Sequence, residues 1–97
     1  MDLDVKREST VAGELIKFQF KNKGNKVIIK NFTEGNLYVR IQSDSKEAVR
    51  IPPLFYQVLL IGEDLTRNKT NIDTVYVTPD KTSADGVEVQ LLVKEQA

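Results

Sequence analysis

Apolar and polar residues alternate along several short stretches of the chain, and turn-forming residues separate these stretches. The alternation is clearest at residues 14–21, 37–43 and 86–94, where every second residue is apolar. A period of two indicates a half-buried β-strand, and the spacing of three to four that marks a helix is nearly absent. The pattern predicts an all-β chain folded as a two-sheet antiparallel β-sandwich, Ig-like or jelly-roll-like, with about 7–8 strands.

The inward-facing side of these strands supplies the predicted core. Its members are Ile16, Phe18, Val39, Ile41, Val58, Val75, Val87, Val89 and Leu91. After the first strand, "NKGNK" at residues 22–26 offers Asn and Gly where a hairpin turn needs a positive φ. The sequence therefore predicts a hairpin at that point.

The stretch "IPPLFYQVLLIG" at residues 51–62 is unusually apolar for a small domain. Pro52 and Pro53 are expected to end the short segment at residues 48–51, because proline cannot donate a ladder hydrogen bond, and this segment is either an edge strand or a crossing between sheets. Residues 62–73, which follow, are polar enough to predict a long loop.

A strand made from residues 54–61 would carry apolar side chains on both faces. With residues 54, 56, 58 and 60 placed inward, Phe55, Leu59 and Ile61 lie on the opposite side with outward residues of other strands. These outward residues form a candidate interface of Tyr38, Phe55, Leu59, Ile61, Tyr76 and Leu92. Either another part of the chain covers them, such as the N-terminal arm or the 62–73 loop, or a partner chain does, since large apolar patches are uncommon on monomers.

Length and composition indicate one ordinary folded domain, a β-sandwich of residues 1–97. For residues 1–10, a flexible arm is an open alternative to a place in the sandwich. The chain has 14 Lys and Arg against 14 Asp and Glu, so no global field directs it toward nucleic acid or a membrane. The opening "MDLDVKREST" is charged and lacks the apolar region of a secretory signal. We expect synthesis in the cytoplasm and no membrane partner.

Composition also limits the chemistry that the chain can perform. It contains neither His nor Cys, which removes the commonest general base, the commonest metal ligand and the thiolate nucleophile. The remaining carboxylate pairs fall in predicted turns, where Asp usually caps backbone groups. We therefore predict no enzymatic activity, no metal and no cofactor.

One stretch suggests a different partner. Lysines interleave with two phenylalanines between Lys17 and Lys30, as on sheets that bind single-stranded nucleic acid. Phe18 and Phe20, however, alternate away from Lys17 and point inward. A solvated hairpin is the preferred interpretation, and a single-stranded nucleic-acid binder is kept as the weaker alternative.

Four segments resemble a known group of proteins. They are "IKNFTEGNLYVRI" (29–41), "AVRIPP" (48–53), "TVYVTP" (74–79) and "GVEVQLLV" (86–93). The resemblance is to small β-sandwich structural proteins of tailed bacteriophages. It implies a virion component made in the host cytoplasm, such as a decoration, connector-region or tail-associated subunit, and it carries no catalytic residue.

The predicted function is that of a non-enzymatic virion structural or assembly subunit, a homo-oligomer whose partners are copies of itself or other virion proteins. Two alternatives from other classes stay open. A carbohydrate-binding sandwich would use Tyr38 and Tyr76 as a stacking platform, although the chain has no Trp, which such platforms favour. An Ig-like adhesion module would bind through its loops.

Overall fold

A computed structural model describes residues 2–41, 48–60 and 72–93, and every regular element in these ranges is a β-strand. The strands are β1 (Asp2–Thr10), β2 (Ile16–Asn31), β3 (Leu37–Ile41), β4 (Val49–Ile51), β5 (Tyr56–Leu60), β6 (Ile72–Pro79) and β7 (Ser83–Val93). The predicted all-β class is confirmed. Within these ranges, nothing helical is present that could cross a membrane.

The seven strands form one antiparallel sheet in the order β1-β7-β2-β6-β3-β4, and β5 pairs with β2 beside this path. β2 connects two parts of the sheet. Its first residues, from Ile16 to Gln19, pair with β6, while residues 26–30 lie between β7 and β5. We call β2(16–19), β6, β3 and β4 the β6 wing, and β1, β7, β2(26–31) and β5 the β7 wing. In the described residues, the end strands β1 and β4 do not pair, so the sheet is open.

The core is a single cluster to which both wings contribute. Its buried members are Phe18, Phe20, Val27, Ile29, Leu37, Val39, Ile51, Ile72, Val75, Val77, Val87, Val89 and Leu91. Ile16 and Ile41 pack against it. The predicted core is therefore confirmed at every position except Val58, which is 38% exposed.

The phase predicted for residues 54–61 is wrong for the strand β5. Val27 and Ile29 face the core, and they pair with Leu59 and Gln57. Directly opposed residues of an antiparallel pair point to the same face, so Leu59 packs against the core and Val58 points outward. An apolar run without alternating polar residues does not specify which of its residues face the core. In β5 the register of pairing with β2 decides this.

The predicted hairpin at residues 22–26 is also wrong, because β2 runs through this segment as one strand with an irregularity near Gly24. A Cβ atom on Gly24 would lie only 2.1 Å from the carbonyl oxygen of Leu92. Glycine here allows a close approach of the β7 backbone while β2 passes from one wing to the other.

Three further segments can be compared with the predictions: the strand before the prolines, the first ten residues and the loop at residues 62–73. The short edge strand before the prolines is present as β4, at the end of the strand order, and it stops at Ile51. The first residues form the strand β1, which pairs with β7, and not a flexible arm. The predicted 62–73 loop lies mostly outside the described residues, as does Ile61.

Candidate interaction surface

Four large apolar side chains lie exposed next to one another at the end of the β7 wing. Leu54 is 72% exposed, Phe55 62%, Tyr56 68% and Phe32 43%. Together with Lys30 and Asn31 they line a shallow pocket of about 250 Å³. We call Phe32, Leu54, Phe55 and Tyr56 the apolar turn surface.

The turn between β4 and β5 presents this surface with an unusual backbone conformation. The Phe55 N–H donates to the Pro52 carbonyl oxygen at 3.2 Å, so Pro53 and Leu54 are the central residues of a β-turn. Leu54 has a φ of 61°, the left-handed value that a type II turn requires at its second central residue and that Gly or Asn usually supplies. A residue with a Cβ atom costs about 1–2 kcal/mol there.

Asn31, a buried residue at the end of β2, holds the turn in place. Its side-chain nitrogen donates to the carbonyl oxygens of Gly35 at 2.9 Å, Ile51 at 3.1 Å and Pro52 at 2.9 Å, so its two hydrogens are shared among three acceptors. Its backbone N–H donates to the Phe55 carbonyl oxygen at 2.9 Å. One residue therefore binds the backbone on both sides of the exposed Leu54.

The rest of the Asn31 side chain orders the loop that carries Phe32. Asn31 Oδ1 accepts from the Thr33 N–H at 2.8 Å and lies 2.7 Å from the Thr33 hydroxyl. The Phe32 N–H donates to the Gly86 carbonyl oxygen at 2.9 Å. Phe32 thus leaves the end of β2 in a fixed direction, between the Pro52–Tyr56 turn and β7.

Further apolar side chains lie on the outer face of the β7 wing, one row beyond Tyr56. Cross-strand pairing aligns Val5, Gln90, Ile28 and Val58 in one row across four strands. The next row toward β1's start contains Leu3, Leu92 and Lys26. Leu3 and Val5 are exposed, while Ile28 and Leu92 are half-buried. The outer face is therefore apolar well beyond the turn.

A charged row lies between this apolar face and the turn, with the buried Glu88 at its centre. Cross-strand register aligns Arg7, Glu88, Lys30 and Tyr56. Arg7 Nε donates to one Glu88 oxygen, and Gln90 donates to the other at 2.6 Å, with Lys30 Nζ 3.7 Å from that second oxygen. These partners lower the pKa of Glu88, chiefly through the Gln90 hydrogen bond and then that of Arg7, against an opposing effect of burial.

A pH dependence follows from the lowered pKa of Glu88. The ionised carboxylate stabilises the fold above its unfolded pKa, near 4.5, and this contribution is lost as the pH falls through the lower folded value. We expect Glu88→Gln to lower the free energy of unfolding by about 1–3 kcal/mol at pH 7, and the difference from wild type to shrink below pH 4.5.

Urea unfolding monitored by circular dichroism from pH 3 to pH 7 measures this difference. Glu14→Gln, which alters an exposed glutamate before β2, is the control and should give wild-type stability near neutral pH. A Glu88→Gln deficit that stays constant down to pH 3 would contradict the assignment.

The structure separates the six residues of the sequence-predicted interface. Phe55 and Leu92 lie on the outer side of the β7 wing, whereas the half-buried Tyr38 and Tyr76 lie on the outer face of the β6 wing. Leu59 faces the core, which corrects its predicted outward position, and Ile61 lies outside the described residues.

Sequence reasoning did not single out Leu54, Phe32 or Asn31. Hydropathy identifies Leu54 as apolar but does not show that its φ is positive. The order Asn31-x-Thr33-x-Gly35 at the end of an apolar strand is a signal for a side-chain-stabilised turn, and this signal could have predicted the loop.

Comparison with known proteins adds no relative: no family model, no curated protein and no solved structure matches the chain.

Proposed function

We propose that the chain is a non-enzymatic assembly subunit that binds a second copy of itself through the apolar turn surface. The observation that carries the proposal is Leu54, which combines a left-handed φ of 61° with 72% exposure. A leucine with this φ destabilises the backbone. Because its side chain is so exposed, it buries little apolar area within its own chain and adds little to the stability of the fold. Contact with another chain would use both its shape and its apolar surface.

The composition of the surface supports a protein partner. Large aromatic side chains are enriched in the centres of protein interfaces, and three of them, Phe32, Phe55 and Tyr56, surround Leu54. The side chains stand on a tethered backbone, because Asn31 binds both flanks of the turn. A surface that is already ordered loses less entropy when it binds.

The free edge of β5 supports a second copy as the partner. In the described residues β5 pairs only with β2, and its sequence "YQVLL" carries no charge, so two such edges can meet without opposing like charges. The edge strand β1 differs, because Asp4, Lys6 and Glu8 point toward its core side. Inward-pointing charges discourage edge pairing.

The proposed subunit has the two-layer arrangement of a β-sandwich. Both wings contribute apolar side chains to one core cluster, which supports a subunit in which their inner faces pack on each other. The radius of gyration of 13.2 Å is close to the value of about 13 Å for a folded domain of this length. Small-angle scattering from a monomeric sample is expected to give a radius near 13.2 Å, and a markedly larger radius would contradict two packed layers.

The setting that we propose is a phage virion, which rests on the resemblance of residues 29–41, 48–53, 74–79 and 86–93. Decoration and tail-associated subunits act by binding neighbouring chains, as the apolar turn surface would. The carbohydrate-binding and adhesion alternatives stay predictions.

The substitution Leu54→Asn tests the assembly function. Asn adopts a left-handed φ more readily than Leu, so the variant should be as stable as wild type or more stable by up to about 1 kcal/mol. Its self-association should weaken at least tenfold, because the most exposed apolar side chain of the surface is removed. Sedimentation equilibrium measures association, and thermal unfolding measures stability.

The matched control is Leu15→Asn, which changes an exposed leucine outside the apolar turn surface and should leave association unchanged. A Leu54→Asn protein that associates like wild type would overturn the proposed surface. A wild-type protein that stays monomeric at high concentration would overturn self-assembly itself.

A further inference from the structure

The outer face of the β6 wing carries two tyrosines among cationic side chains. We call Lys17, Tyr38, Arg40, Arg50 and Tyr76 the basic tyrosine face. The residues come from four neighbouring strands, and none of them belongs to the apolar turn surface. The chain as a whole has no net charge, so this local collection of cations is not a consequence of composition.

Strand register places the cations directly beside the tyrosines. Tyr76 on β6 pairs with Lys17 on β2 and with Arg40 on β3, so it lies between two cations in one row. Tyr38 on β3 pairs with Arg50 on β4. Directly opposed residues lie about 4.5–5.5 Å apart at their Cβ atoms, which puts each tyrosine within reach of a charged neighbour.

The face is accessible in the described structure. Lys17 and Arg50 are exposed, and Tyr38, Arg40 and Tyr76 are half-buried. The Tyr38 hydroxyl donates to Asp80 at 3.4 Å. This carboxylate would repel a phosphate beside Tyr38, whereas the cross-strand neighbours of Tyr76 are Lys17 and Arg40.

We propose that the basic tyrosine face binds single-stranded nucleic acid, with bases stacked on Tyr76 and Tyr38 and phosphates held by Lys17, Arg40 and Arg50. Aromatic side chains on a sheet, flanked by cations, are the means by which single strands are bound with little sequence preference. This binding would be independent of the apolar turn surface.

The spacing of the tyrosines fits a stretched strand. Tyr76 on β6 lies directly opposite Arg40 on β3, and Tyr38 lies two residues before Arg40 on the same strand and face. The two tyrosines are therefore diagonal neighbours, about 7–8 Å apart. Bases in a duplex are separated by about 3.4 Å along each strand. A single strand extended to about twice that rise would place successive bases on the two rings.

The geometry differs from the lysine hairpin that the sequence suggested. Phe18 and Phe20 are buried, and residues 22–26 form no hairpin. Lys17 instead belongs to a face whose aromatics come from β3 and β6. The cations also favour a polyanion over a neutral sugar, which would use the tyrosines alone.

Fluorescence anisotropy with labelled oligonucleotides tests the proposal on the full chain. We expect a 20-nucleotide oligo-dT to bind in low salt and to weaken as salt rises, with a slope of log K against log salt of about −2, from three phosphate contacts. An abasic strand with the same phosphates should bind at least about fivefold more weakly, because it cannot stack.

Single substitutions assign the binding to this face. Tyr76→Leu should weaken oligo-dT binding by about five- to hundredfold, whereas Tyr76→Phe, which keeps an aromatic ring, should bind like wild type. Lys17→Gln should make the salt slope shallower by about 0.7. Lys26→Gln, on the same strand but on the β7 wing, should leave it unchanged. Circular dichroism confirms that each variant is folded.

Four outcomes would overturn the proposal. They are no binding of oligo-dT at low salt, equal binding of the abasic strand, equal affinity of Tyr76→Leu and wild type, and stronger binding of a neutral oligosaccharide than of oligo-dT. Loss of oligo-dT binding in Leu54→Asn together with loss of self-association would show that the two surfaces are not independent.

Discussion

Replacing Asn31 by alanine is expected to lower the free energy of unfolding by about 3–5 kcal/mol, the largest effect that we predict for a single polar side chain. The amide holds the carbonyl groups of Gly35, Ile51 and Pro52, and it accepts from Thr33. Each buried polar group left without a partner costs about 1–3 kcal/mol. A total stability of about 5–15 kcal/mol leaves little margin for that loss.

The control is Asn22→Ala on the same strand. Asn22 is exposed, and its side chain makes one long contact of 3.5 Å with Asp4, so its removal should change stability by less than about 0.5 kcal/mol. Urea unfolding of both variants measures the difference. Near-equal stabilities would show that water replaces the Asn31 hydrogen bonds, which would refute its role as the tether of the turn.

The second large effect is expected for Gly86→Ala at the junction of β1 and β7. Gly86 has a φ of 61°, and an added Cβ would lie 1.9 Å from the Glu8 carbonyl oxygen. The left-handed backbone costs a residue with a Cβ about 1–2 kcal/mol, and overpacking adds about 1–3 kcal/mol. Neither backbone can move away without breaking the β1–β7 pairing, so the two contributions together predict a loss of about 2–5 kcal/mol.

Gly13→Ala separates the two causes. Gly13 also has a left-handed φ, 79°, but an added Cβ would have nothing within 4 Å. This variant should lose only the conformational part, about 1–2 kcal/mol. Thermal unfolding of the pair gives the steric part as a difference. If Gly86→Ala is no less stable than Gly13→Ala, the close approach of β1 to Gly86 is wrong.

The sequence predicts the strands and the core well wherever alternation is strict. Residues 37–41 and 86–93 alternate, and Leu37, Val39, Val87, Val89 and Leu91 are buried on the predicted inner face. In residues 54–61 the alternation is missing, because polar residues do not mark the outer face. The phase of β5 then depends on its pairing with Val27 and Ile29, which is a long-range contact that local pattern does not contain.

The turn predicted at Gly24 was wrong for a related reason. Asn and Gly permit a hairpin but do not require one, and the same glycine also permits the close approach of two strands. Only the position of Leu92, almost seventy residues later, distinguishes the two uses.

The candidate surface was predictable only in part. The apolar character of residues 51–62 indicated an interface near this segment, and Phe55 is exposed there. The role of Leu54 depends on its φ, and the role of Asn31 depends on contacts with Ile51 and Pro52, twenty residues away or more. Neither is encoded in hydropathy.

The position of β7 between β1 and β2 has a consequence for the protein during its synthesis. In the described residues β1 pairs only with β7, so β1 has no strand partner until β7 has been synthesised. At about 5–20 residues per second, the chain from Thr10 to Ser83 takes about 4–15 s to make. Through this time β1 has no partner strand, and the charges of Asp4, Lys6 and Glu8 on its core side disfavour pairing with a neighbouring nascent chain.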